Sequence, residues 1–149
     1  MRAADNPNVA RYLRDSFPHP YTLDDARAWI DINEACDPQT HFAVTIDDVP
    51  IGGIGFTLHG GEERIAAEVG YWLAQPYWGR GIAAAALRVL TDYVFATHGI
   101  ERISSVVMHP NLASQRVLEK SGYEREGVMR RAVLKNGEIY DMVLFGKLR

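Results

Sequence analysis

Between Glu68 and Ala84 the chain carries a carboxylate, glycines at positions 79 and 81, an arginine between them, and alanines at 83 and 84. Small residues let a ligand approach the main chain closely. Where such a run opens a helix, free N–H groups and the positive end of the helix dipole favour a phosphate. Arg80 adds a cation beside that point. The segment lacks the Gly-x4-Gly-Lys-Ser/Thr of a Walker loop. It also departs from the dinucleotide pattern Gly-x-Gly-x-x-Gly, because the last position is Ala84 and no acidic residue follows at the expected distance. Spacing alone leaves a purely structural glycine turn open beside the phosphate-binding reading.

Other reactive residues exclude more than they assign. The five histidines show no close metal-ligand spacing, and Cys36 is the only cysteine, so a multi-cysteine metal site and an internal disulfide are both ruled out. No metal is expected. No nucleophile elbow with a Ser-His-Asp order is present. His109 stands where a strand meets Pro110, as a proton relay or as a structural strand-end residue. Trp29 at helical spacing reads as core.

The elements that must position these residues follow from periodicity and punctuation. Asn6 to Arg14 reads as a short helix ending before Phe17-Pro18-His19-Pro20. Thr22 caps a second helix with Asp25 three residues on, and Ala26, Trp29, Ile30 and Asn33 mark its inward stripe. His41 to Thr45, Ile51 to Leu58 and Ile65 to Leu73 read as strands separated by turns at Asp47–Pro50 and Gly60–Glu63. Arg80 to Thr97 is the strongest helix, with Gly99 at its end. A strand at Ile103–Met108 and a helix at Asn111–Lys120, closed by Gly122, come next. Two final strands, Glu126–Leu134 and Ile139–Leu148, flank the hairpin signal Asn136-Gly137. The early strands are expected to be antiparallel and the strand-helix-strand unit from Ile65 to Met108 parallel. The result is an α/β domain with a mixed central sheet flanked by helices.

Bulk properties agree with one domain over residues 1–149. Apolar residues make up 47% and charged residues 23% of the chain. Sixteen Lys and Arg stand against nineteen Asp and Glu, a net charge of −3, which argues against a nucleic-acid partner. No apolar run approaches the roughly 20 residues of a membrane span, and Met1–Asn8 lacks a signal-peptide core. With a single cysteine, these features predict a soluble cytoplasmic protein with no membrane partner.

The segment Trp78-Gly79-Arg80-Gly81-Ile82-Ala83 resembles the coenzyme-binding motif Gln/Arg-x-x-Gly-x-Gly/Ala of the GNAT N-acetyltransferase family, in particular its RimJ/RimL-like branch. Trp78 departs from the usual first residue. The resemblance continues through Gly70-Tyr71-Trp72-Leu73, through Asn111 to Ser114 and on to Gly122-Tyr123, and through Asn136-Gly137 with Asp141. It covers about residues 20 to 148.

The resemblance implies acetyl-coenzyme A as cosubstrate and a primary amine as acceptor, either a small molecule or a peptide N-terminus. It places the pantetheine arm beside Tyr71, Trp72 and Leu73, and the pyrophosphate on amides from Gly79 to Ala84, including Arg80, Gly81, Ile82 and Ala83. Asn111 bonds the pantetheine arm or serves as a helix cap, and the two roles are compatible. Glu68 is the candidate base, and a solvated strand carboxylate is the alternative. Ser114 occupies a position thought to act near the thiol, or it satisfies a local amide. The tyrosine that many members carry seven residues after the asparagine is replaced by Leu118, and Val133 stands nearest to the carboxylate ascribed to RimL. Asp141 either supports the acceptor amine or anchors the hairpin. In members of the family the loop between the first two helices caps the acceptor side, which makes His19, Tyr21 and Trp29 candidates to line that pocket. Members begin with a strand of about ten residues before the first helix, whereas this chain opens almost directly at that helix, so the start is truncated, the strand is dispensable, or a partner supplies an edge. A free sheet edge is therefore expected, with modest stability and a tendency to form a homodimer.

Overall fold

Asn6 opens the first helix, α1 (Pro7–Ala10), its side chain accepting from the Asn8 amide at 2.9 Å. The computed structural model describes residues 3–149, and α1 within it is shorter than the expected run to Arg14. The chain beyond Ala10 is drawn elsewhere. Asp15 accepts from the Lys135 ammonium at 2.6 Å, and Arg14 pairs with Glu68. So short a helix has no cooperative reserve with which to resist those contacts. Thr22 and Asp25 then cap each other: the Thr22 hydroxyl accepts from the Asp25 amide at 3.2 Å and the Asp25 carboxylate accepts from the Thr22 amide at 2.8 Å. This reciprocal cap starts α2 (Leu23–Glu34).

Strands β1 (His41–Ile46), β2 (Val49–Leu58) and β3 (Ala66–Leu73) form an antiparallel meander. Helix α3 (Ile82–Thr97) then crosses to β4 (Arg102–Met108), which lies parallel to β3 as expected. Helix α4 (Leu112–Lys120) leads to the long hairpin of β5 (Glu124–Lys135) and β6 (Glu138–Leu148), joined at Asn136-Gly137. The sheet order is β1-β2-β3-β4-β6-β5. Strand β1 is an edge of this sheet among the described residues.

One pairing is cut short. β2 and β3 stay in register from Gly52–Leu73 to Leu58–Ala67, and β4 and β6 from Arg102–Leu148 to Met108–Met142. Between β3 and β4 the ladder holds only Ala66–Arg102, Ala67–Ile103 and Glu68–Ser104. Beyond Glu68 the two strands part, each retained by its other neighbour.

The core fills one face of the sheet. Phe56, Val69, Ile103 and Phe145 meet Leu87, Val94 and Leu118 from α3 and α4. The opposite face is different. Trp29 and Ile30 of α2 are 50% and 52% exposed, and only Asn33 of that helix is buried. Of the expected inward stripe, Asn33 is buried and Ala26 half-buried, whereas Trp29 and Ile30 stay half exposed. The facing positions of β2 and β3 include Gly53, Gly55 and Gly70, which offer no side chains to pack against. Among the described residues, no helix is long and apolar enough to cross a membrane.

Helix α3 is also tied to the loop after α4 by a buried polar link. The Thr91 hydroxyl donates to the Leu87 carbonyl at 2.7 Å and shares a bond with the Tyr123 hydroxyl at 2.8 Å. Burial pushes the Tyr123 phenol up to about 12, so it stays neutral. Thr91→Val should cost about 1–3 kcal/mol, because it orphans that hydroxyl. Adding Tyr123→Phe should recover part of the loss. Chemical denaturation of both variants checks this, and strict additivity would show that the bond contributes nothing.

Candidate active site

The loop after β3 begins with a 3-10 turn at Gln75–Tyr77, tied to the start of α1 by the Asn6 and Asn8 side-chain amides, which donate to the Gln75 side-chain oxygen Oε1 at 3.0 and 3.1 Å. Gly79 and Gly81 follow at φ +73° and +80°, and a Cβ at either position would meet nothing within 4 Å. Left-handed backbone at both points requires residues that tolerate it, and the space above them is open. Gly81 is the N-cap of α3 and supplies no side-chain cap. The amides of Ile82, Ala83 and Ala84 thus begin the helix with no side chain to satisfy them. Arg80 lies exposed beside this point, its guanidinium 5.6 Å from the Tyr77 ring centre.

The parted strands expose main-chain groups. The Ala74 amide donates to the Ile51 carbonyl at 2.8 Å. Antiparallel alternation then turns Trp72 and Gly70 towards β2, and turns Val69, Tyr71 and Leu73 towards the gap. Two of those gap-facing carbonyls are taken. Ser105 donates to the Val69 oxygen at 3.1 Å, and the Trp78 indole donates to the Leu73 oxygen at 2.6 Å. The Leu73 amide and both Tyr71 groups face the gap beyond the last ladder pair.

On the core side, Tyr71 crosses to α4. Its hydroxyl donates to the Ser114 carbonyl at 3.1 Å and shares a 2.8 Å bond with the Ser114 hydroxyl. Burial raises the Tyr71 phenol far above its usual value, so it remains protonated. Asn111 accepts from the Ser114 amide at 3.2 Å, which makes it the N-cap of α4. Asn111, Ser114, Tyr71 and Glu68 all line one open cleft of about 1220 Å³. The parting of the strands brings them together.

The other side of β3 carries Glu68, Gly70 and Trp72. Glu68 is one-third exposed, with a side-chain accessibility of 34%, and is paired with Arg14. Trp72 meets Phe17 edge-on at 5.5 Å, and Phe17 stacks on Tyr21 at 5.0 Å. His41 sits at 5.1 Å from Trp29, ring edge to face. Tyr21 and Trp29 therefore line this side of the cleft, whereas His19 sits over Asp5 at 3.5 Å.

Residues 1–124 match the model of the acetyltransferase (GNAT) domain. The chain belongs to the GNAT acetyltransferase family. It is 38% identical over 91 residues to the uncharacterized N-acetyltransferase YoaA of Bacillus subtilis, which covers 61% of this chain and 51% of that protein. The chain thus spans about half of that relative's length. Among solved structures, a GNAT-family acetyltransferase of Bacillus anthracis shares the fold with a TM-score of 0.85 at 24% identity, covering 98% of this chain and 84% of the other. RimJ of Mycobacterium smegmatis, in complex with CoA-disulfide, gives a TM-score of 0.79 at 25% identity, covering 99% of this chain and 73% of that one.

Against this GNAT framework, several sequence candidates separate. His109 is exposed and bonds through its main chain, its amide donating to the Asp141 carbonyl at 2.9 Å and its carbonyl accepting from Gln115 at 2.7 Å. Asp141 anchors the hairpin, its carboxylate accepting from the Arg131 amide at 2.8 Å where β5 bulges. Sequence reasoning missed Arg14 and the side-chain roles of Tyr71 and Trp78. The alternation of Val69, Tyr71 and Leu73 was a signal for Tyr71. Arg14 had none, since its partner lies 54 residues away.

Burial lowers the His41 pKa from its ordinary 6.5, so the ring is neutral at pH 7. The unfolded chain then takes up this proton at a higher pH than the folded one. Stability should fall as the pH drops below about 6.5. Asp25 and Glu126, whose pKa values are also lowered, act only near and below their ordinary 3.8 and 4.5. Thermal melts of His41→Phe and the parent should differ in slope between about pH 6.5 and pH 5, and parallel slopes would contradict this role of the buried ring.

Proposed function

We propose that residues 1–149 act as one cytoplasmic N-acetyltransferase domain that moves an acetyl group from acetyl-coenzyme A to a primary amine by direct transfer. The observation that carries the reading is the gap between β3 and β4, which leaves main-chain groups of Tyr71 and Leu73 unpaired next to the uncapped start of α3. A pantetheine arm carries amides that suit the gap, and a pyrophosphate suits the amides from Gly79 to Ala84 with Arg80. Trp78 departs from the family motif, yet its bond to the Leu73 oxygen locks this loop against the strand. Asn111 holds its helix cap and lines the same cleft.

The chemistry follows from Glu68. An amine at neutral pH is mostly protonated and must lose a proton before it attacks. The acceptor's ammonium displaces the Arg14 guanidinium from Glu68, and the carboxylate takes its proton directly or through water. The freed nitrogen lone pair attacks the thioester carbonyl, whose oxygen is polarised by the Leu73 amide. The C–N bond forms, the C–S bond breaks, and the thiolate takes up the second proton that the attacking nitrogen sheds, leaving a neutral amide. Ser114 and the neutral Tyr71 phenol lie on the core side of the same gap, and Ser114 is the residue proposed to assist the thiol.

Glu68→Gln should lower kcat by about 10²–10⁴-fold, the usual worth of a positioned base. The same variant should keep the thermal shift given by acetyl-coenzyme A, about 2.7 kcal/mol at a hundredfold excess over Kd. A parent protein that shows no shift with acetyl-coenzyme A would overturn the reading outright. Loss of the shift together with the activity in the variant would reassign Glu68 from proton transfer to binding.

A further inference from the structure

The acceptor side of β3 is built around an absence of side chains. The rung His41–Gly55–Gly70 crosses three strands, and the next rung is Ala43–Gly53–Trp72. A Cβ on Gly55 would lie 2.4 Å from the His41 ring, and one on Gly53 would lie 2.7 Å from the Trp72 indole nitrogen. Those two rings therefore occupy the space that side chains at the glycines would fill. Gly70 is different: a Cβ there would meet nothing within 4 Å, although its backbone needs no glycine. Gly70 stands between Glu68 and Trp72 on the same face, about 13 Å apart along the strand. The result is an open, flat-floored slot. An indole extended by Phe17 and Tyr21 bounds one end, and a carboxylate bounds the other.

We infer that this slot selects a primary amine carried on a short alkyl chain that ends in a flat aromatic ring. The inference rests on the proposed acetyl transfer and names its acceptor class. The ring lies over Gly70 with Trp72 beside it, where offset or edge contacts between rings are favourable. The amine points to Glu68 and the β3–β4 gap. There it gives up a proton to the carboxylate, forms the amide bond, and releases the thiol as above. A saturated ring of the same carbon count fills the same space but lacks the π face and edge that the Trp72 indole can meet. The short chain is required because the ring and the carboxylate are neighbours on one strand. Both a free arylalkylamine and a peptide with N-terminal phenylalanine offer this chemistry.

The test compares kcat/KM with acetyl-coenzyme A for ethylamine, 2-phenylethylamine, 2-cyclohexylethylamine and a phenylalanyl dipeptide amide. An aromatic arm should exceed the cyclohexyl arm by roughly tenfold, and whichever aromatic arm turns over faster identifies the source. Gly70→Val places a branched side chain in the open space and should bring that ratio close to one. Should the Gly70→Val chain fail to show a cooperative thermal transition, Gly70→Ala adds a single methyl at the same point, and a partial fall in the ratio is expected. Equal rates for phenyl and cyclohexyl arms in the parent overturn the inference while leaving acetyl transfer standing. A ratio unchanged by both substitutions overturns it too. If no amine is acetylated although acetyl-coenzyme A binds, the proposed transfer fails and the inference fails with it.

Discussion

The whole site depends on β3 and β4 being unable to stay together. Each has a seven-pair ladder with its other neighbour, β2 or β6, and the two share only three pairs. Twist accumulates across a sheet, so strands gripped on opposite sides diverge unless their own ladder resists. Leaving strand amides and carbonyls unpaired is costly. The chain offsets part of that cost locally, with Ser105 on the Val69 oxygen and the Trp78 indole on the Leu73 oxygen. What stays open is the remainder, the Leu73 amide and both Tyr71 groups.

The period of two along β3 divides its labour. Ala67, Val69 and Leu73 are buried on the face that α3 and α4 cover, and Tyr71 joins them through Ser114. Glu68, Gly70 and Trp72 take the other face, which lines the open cleft. A one-residue slip of β3 against β2 would exchange these roles and bury a carboxylate against Leu87 and Leu118. Register is therefore as much a functional constraint as a structural one. The complete β2–β3 ladder, from Leu58–Ala67 to Gly52–Leu73, secures it.

Much of the fold was legible because it is local. Helix α3, the parallel strand-helix-strand unit and the Asn136-Gly137 hairpin all announce themselves through spacing or turn chemistry. The glycines at 79 and 81 were legible for the same reason, since a left-handed helix start has a residue signature. What escaped was set at a distance. The early end of α1 follows from Asp15 meeting Lys135 and Arg14 meeting Glu68, pairs that no window of sequence contains. The inward stripe on α2 holds at Asn33 and Ala26 but not at Trp29 and Ile30, for a related reason. Helical periodicity says which residues share a face, but the glycines of β2 and β3 decide whether anything is there to pack against.

That same bareness explains why a cation rests on Glu68. The carboxylate stands at the rim of an open slot, and the guanidinium of Arg14 reaches it from an exposed loop, its own side chain 73% accessible. A pair so open to water contributes little to stability, so exchanging one cation for another across it is nearly neutral. In the proposed transfer, the ammonium of the acceptor carries the same charge as the guanidinium it displaces. On the inferred acceptor mode it holds its place where the rest of the acceptor is gripped, at the aromatic end of the slot. The weakness of the Arg14–Glu68 pair and the bare floor beside it are thus two halves of one arrangement. A strongly held arginine would close the site to amines, and a filled floor would leave an incoming amine nothing to hold it there.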